Sequence, residues 1–251
     1  MSPAIHRETH RHRIDHGRFE AYVAWPEGPP RPAVLLAHDW SGLHDGIREI
    51  ADRLAGGGHA VFAFDVYGEG VRGDPLGDNH ALMNPLLADR GLLRARLLGA
   101  MDAARRHPAI DGSRCAALGF CFGGLCVLDL VRAQPAGLRG VISVHGALAP
   151  PSLGEQRPID ARVLLLHGWE DPVAPPSDVL AITAELTAAG ADWELRAYGH
   201  AMHAFTFAKA AAPAHGLAFH PIAAARAWAA IDGCLAELLR STDDAPSAPA
   251  R

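Results

Sequence analysis

Three short segments of the chain carry side chains suited to acyl chemistry. Gly119-Phe120-Cys121-Phe122-Gly123-Gly124 follows the apolar run Ala116-Ala117-Leu118 and opens an apolar helical stretch, so it offers a thiol at a glycine-flanked strand-to-helix turn. This is the layout of a G-x-S-x-G elbow with sulfur replacing oxygen, in which the glycines let strand and helix approach closely. A thiol attacks as thiolate and needs an imidazole to share its proton. A carboxylate behind that imidazole fixes its tautomer and stabilises its charged form. Asp171, in His167-Gly168-Trp169-Glu170-Asp171-Pro172, is the candidate carboxylate. Gly199-His200-Ala201-Met202-His203-Ala204-Phe205 supplies the base, with His200 and His203 both eligible by position. Singly, each has a plainer reading: a packed cysteine, a turn-capping aspartate before proline, a surface histidine. Their joint placement, each just after an apolar run, points to catalysis.

The elements that must position these residues alternate between apolar runs and helical patterns, the signature of an α/β fold with a mostly parallel central sheet and helices on both faces. Strands are expected at Arg18–Trp25, hairpinned with His10–Ile14 through His16-Gly17, then at Ala33–Ala37, His59–Phe64, Arg114–Leu118, Gly140–Val144, Arg162–Leu166 and Trp193–Tyr198. Helical patterns fill Asp45–Ala55, Ala81–Arg106, Gly123–Ala133, Ser177–Ala189 and Pro221–Arg240. In open α/β sheets ligands bind beyond the carboxyl ends of the strands, and His38-Asp39-Trp40, Cys121, Asp171 and His203 all follow strands. One domain spanning 1–240 accounts for the length, with a Ser, Asp, Ala and Pro-rich tail at 241–251 expected to be disordered.

A formal net charge of −5 and 20% charged residues leave no basic footprint for nucleic acid or anionic lipid, so a small molecule is the expected partner. No apolar run reaches membrane-spanning length, and Met1–His16 lacks the apolar core of a secretory signal. The four cysteines, Cys115, Cys121, Cys126 and Cys234, have neither zinc-knuckle nor disulfide spacing, so a reducing cytoplasm is the expected location. His6, His10, His12 and His16 form a conspicuous run, but no carboxylate or cysteine at ligand spacing completes a zinc set; no metal or cofactor is expected, and such runs are usually solvated.

Taken with His38-Asp39-Trp40-Ser41-Gly42-Leu43 and Met202-His203-Ala204-Phe205-Thr206, these motifs resemble the dienelactone hydrolase (carboxymethylenebutenolidase) family over nearly the whole chain. The chain order nucleophile, acid, histidine is also that of α/β-hydrolases. The resemblance implies an α/β-hydrolase fold, a triad of Cys121, Asp171 and His203, and His200 as a bystander, because the matching histidine precedes Ala-Phe. It also places Asp39 where family members carry an acidic residue that contacts the resting thiol; the alternative for Asp39 is a buried hydrogen-bond partner for its own loop.

Negative charge developing on an attacked carbonyl oxygen needs preorganised donors. Elbow geometry supplies the N–H of Phe122, and family correspondence supplies that of Trp40. Substrate recognition departs from the family: an arginine that binds a substrate carboxylate has Phe207 in its place, with Arg90 and Arg94 as candidate replacements. A phenyl ring cannot replace a guanidinium fork, so Phe205 and Phe207 are expected to line an apolar pocket. The expected activity is hydrolysis of small esters or lactones by a monomer or homodimer; the competing expectation is a hydrolase-fold binding or sensor protein without turnover.

Overall fold

A computed structural model describes residues 4–240 and places eight strands in one sheet in the order β1-β2-β4-β3-β5-β6-β7-β8. The strands are β1 (Ile5–Ile14), β2 (Gly17–Pro26), β3 (Arg31–Ala37), β4 (Ala60–Phe64), β5 (Ile110–Phe120), β6 (Leu138–Val144), β7 (Arg162–Gly168) and β8 (Trp193–Tyr198). β1, β2 and β4 pair antiparallel, and every pairing from β4 to β8 is parallel. The tail 241–251 lies outside the described residues.

The central strands are apolar on both faces because both are covered. Leu35, Phe62, Ala117, Val141 and Val163 point into a core shared with helices α3 (Arg90–Arg106), α4 (Phe122–Ala133) and α5 (Pro176–Ala188). Their sequence neighbours Leu36, Val61, Leu118, Ile142 and Leu164 face the opposite core, closed by α1 (Asp45–Gly56) and α6 (Pro221–Leu238). The alternation follows from the two-residue period of a strand, which turns successive side chains to opposite faces.

Two expectations are corrected. The single helix over Ala81–Arg106 is two, α2 (His80–Ala88) and α3, because Asp89 leaves helical geometry and its carboxylate accepts the Leu92 N–H, ending one helix and capping the next. The N-terminal histidines are only partly solvated: β1 pairs with β2 from Ile5 to Ile14, and half-buried His12 lies against Phe19 and Phe62, while His6, stacked on Trp25, and His16 stay exposed.

Candidate active site

β5 ends at Phe120 and α4 starts at Phe122, leaving Cys121 alone at the turn with φ 56° and ψ −119°. Left-handed φ is strained for a residue with a Cβ, and the surroundings enforce it. A Cβ on Gly119 would lie 2.0 Å from the Gly123 carbonyl oxygen, and one on Gly123 would lie 2.5 Å from that of Ala37, so only glycine permits this packing of strand, turn and helix. Cys121 N–H is anchored to the Val144 carbonyl at 3.1 Å.

Asp171 follows β7 in a loop tied to the next segment by Trp169 N–H to Tyr198 O and Glu170 N–H to Ala201 O, both 2.9 Å. Its Oδ1 accepts the Val173 N–H at 2.8 Å, and its Oδ2 lies 2.8 Å from His203 Nδ1. The His203 loop is pinned on both sides, His203 N–H donating to Gly216 O and Ala218 N–H donating to His203 O. His203 Nε2 stands 3.1 Å from Cys121 Sγ. The fold therefore brings Cys121, His203 and Asp171 into one line. Burial opposes a charge on His203, but the interaction with Cys121 and the hydrogen bond donated to Asp171 outweigh it and push the ring up to about 10. His200, exposed and bonded to Glu170, takes no part.

The N–H groups of Trp40 and Phe122 find no acceptor among the described residues, which leaves both as spare donors. Asp39 does not make the expected contact with the thiol: Oδ1 accepts from the Ser41 N–H and hydroxyl, and Oδ2 from His44 Nε2 at 3.0 Å. Both oxygens fasten its own loop. Phe205 is also corrected. It is fully buried against Tyr198 and the α6-side core, beneath the histidine loop rather than in a pocket wall. Arg90 is committed elsewhere, donating from Nε and a terminal nitrogen to both oxygens of buried Asp129 at 2.7 and 2.6 Å. Arg94 stands exposed on α3, and Phe207 is half-buried just beyond His203.

Two further residues were not singled out from sequence. His145, following β6, takes φ 39° and bridges the site: its Nδ1 accepts the Cys121 N–H at 3.2 Å and its Nε2 lies 2.8 Å from Thr206 Oγ1. Tyr67, beyond β4, donates its hydroxyl to Trp40 O at 2.9 Å and stacks on Phe122 at 6.0 Å and 9°. Both sit beyond the carboxyl ends of strands, the signal that could have found them. Away from this rim, Glu8, His10 and His107 place ligand-type atoms within 4.8 Å of one another. There the Ala109 N–H donates to His107 Nδ1, so Nε2 holds the ring proton and donates it to Glu8 instead of offering a lone pair to a metal.

A mostly parallel sheet covered on both faces, with Cys121 at a strand-to-helix elbow after β5 and Asp171 and His203 in the loops after β7 and β8, has the layout of an α/β-hydrolase. The dienelactone hydrolase family model matches residues 19–239. Among solved structures the chain is similar to m3DLH, at 35% identity over 94% of this chain and 100% of that one, TM-score 0.87. It is also similar to the dienelactone hydrolase-like promiscuous phosphotriesterase P91 from metagenomic libraries, at 32% identity with the same coverage and TM-score 0.88. The Yersinia pestis protein named "Putative carboxymethylenebutenolidase" is 30% identical over 202 residues, 74% of this chain and 73% of that protein. The chain belongs to the dienelactone hydrolase family, and its enzyme class is that of hydrolases acting on carboxylic ester and lactone bonds. No helix among the described residues is long and apolar enough to cross a membrane.

Proposed function

We propose that this chain hydrolyses small esters or lactones through an acyl-enzyme on Cys121. The observation that carries the reading is the line from Cys121 Sγ to His203 Nε2, 3.1 Å, and from His203 Nδ1 to Asp171 Oδ2, 2.8 Å. The Cys121 thiolate attacks the carbonyl carbon, and the π electrons move to an oxyanion facing the N–H groups of Trp40 and Phe122. Collapse breaks the carbon–oxygen ester bond, and the leaving alkoxide takes the proton from His203 Nε2; in a lactone the new hydroxyl stays tethered to the acyl group. Water then gives a proton to His203 and attacks the thioester, and a second collapse expels the thiolate. Asp171 holds the Nδ1–H and balances the imidazolium.

Each step uses a side chain or water, and a reducing cytoplasm would keep the sulfur competent. With Arg90 paired to Asp129 and Phe207 at the family's arginine position, neutral substrates suit this site better than carboxylate-bearing lactones. Rapid quenching with an activated phenyl ester, followed by mass spectrometry, should find the acyl mass on Cys121 and none on Cys121→Ala. Unchanged turnover by Cys121→Ala would defeat the reading. A strong preference for anionic lactones over neutral esters would defeat the substrate assignment alone.

A further inference from the structure

The Asp39–Trp40 amide is gripped at one end and free at the other. Its carbonyl oxygen, on Asp39, receives His38 Nδ1–H at 2.5 Å and the Gly42 N–H at 3.3 Å. Its N–H, on Trp40, has no acceptor among the described residues. The direction of the histidine bond is fixed from behind, because the Val66 N–H donates to His38 Nε2 at 3.2 Å and so leaves the proton of the neutral ring on Nδ1. Burial holds that ring down at about 4 despite the Asp39 carbonyl and carboxylate, so it stays neutral near pH 7.

The neighbouring peptide is held as firmly. Trp40 O accepts the Tyr67 hydroxyl at 2.9 Å, and Ser41 N–H is tied to Asp39 Oδ1 at 2.8 Å. Asp39 is in turn held by His44, whose tautomer is set by the Gly46 N–H donating to Nδ1 at 3.1 Å. Tyr67 also lies parallel to Phe122, so one aromatic ring touches both residues whose N–H groups are spare. Asp65 fixes Tyr67 by accepting the N–H groups of Tyr67 and Gly68, each at 2.8 Å.

An amide whose carbonyl accepts hydrogen bonds donates more strongly through its N–H, on the order of 10–30% per bond. A donor already fixed in place needs no reorganisation as charge develops. We propose that His38 and Tyr67 are positioning residues for the oxyanion: His38 polarises the Asp39–Trp40 amide through its carbonyl, and Tyr67 holds the adjoining Trp40–Ser41 peptide and Phe122 in one frame. This assignment rests on the thioester mechanism proposed above. Asp39 then serves the same amide as a loop fastener.

The test compares Tyr67→Phe, His38→Leu and His38→Asn in the full chain, using two readouts. Turnover of a neutral activated phenyl ester develops an oxyanion; alkylation of Cys121 by iodoacetamide does not, and reports the Cys121–His203 pair alone. Tyr67→Phe should lower kcat on the order of tenfold, less than the ~10²–10³ of deleting a donor outright, with KM within about twofold and alkylation unchanged. His38→Leu should lose more, and His38→Asn, whose amide can donate near the former Nδ1 position, should recover part of it. Equal losses in turnover and alkylation, or undiminished kcat in Tyr67→Phe, would overturn the proposal. Should His38→Leu fail to fold, Tyr67→Phe, which removes one oxygen and keeps the ring, decides alone. Failure of the thioester reading itself would look different: wild-type enzyme alkylated at Cys121 would still turn over ester.

Discussion

His145 and His203 sit with ring centroids 5.2 Å apart at the same rim of the sheet, and both are buried, yet their surroundings drive them in opposite directions. His145 receives a backbone N–H on one nitrogen and meets a neutral hydroxyl with the other, so too little compensates a charge; burial and the neighbouring His203 hold it well below the ordinary histidine range. His203 has a carboxylate on one nitrogen and a thiol on the other, and these overcome burial to push it up to about 10. Burial alone assigns no role to a buried imidazole. What assigns it is whether the two ring nitrogens meet backbone or ionisable partners.

The largest break in this pairing is His203→Gln, expected to cost about 10³-fold or more in kcat, since the thiol loses its proton partner. His145→Phe should be milder. It keeps ring volume but strands the Thr206 hydroxyl, so a loss of about 1–2 kcal/mol in chemical unfolding and roughly tenfold in kcat is expected. A loss as large as that of His203→Gln would mean that His145 also moves protons.

Stability against pH sharpens the same contrast. His203, raised in the fold from 6.5 to about 10, contributes stability that is complete below about 6.5 and fades as pH climbs through about 10. His38, lowered to about 4, acts the other way: between about 4 and 6.5 the unfolded chain binds a proton that the fold refuses, so stability falls as pH drops through that window, and the lowered His145 adds a loss of the same sign. Melting temperatures across pH should therefore decline on both sides of neutrality, and His203→Gln should flatten the alkaline side only. The smallest effect is expected from His200→Ala, within about twofold in kcat/KM, because that ring is exposed on Glu170 alone.

The sheet, its strand assignments and the glycine-flanked turn at Cys121 were legible because strand periodicity and glycine placement are local properties. The Asp89 break was not, since a carboxylate that caps a helix from within an apolar pattern looks like one more polar position on its surface. For Asp39 sequence left two readings, partner of the thiol or fastener of its own loop; its direction depends on Ser41 and His44, and that competition is decided only when the loop closes on itself. His145 and Tyr67 act through contacts 24 and 27 residues away in sequence, to Cys121 and to Trp40. No spacing rule reaches that far. Arg90 illustrates the same limit, since a guanidinium on a helix shows nothing of Asp129 on the helix beside it.

The glycines at 119 and 123 put the burden of the sharp turn on backbone that bears no side chain, so the socket at position 121 makes no demand on the identity of the atom it displays. An alcohol could occupy it without disturbing the packing beneath. The difference would lie in acidity: a thiol gives up its proton to a neighbouring imidazole far more readily than an alcohol does.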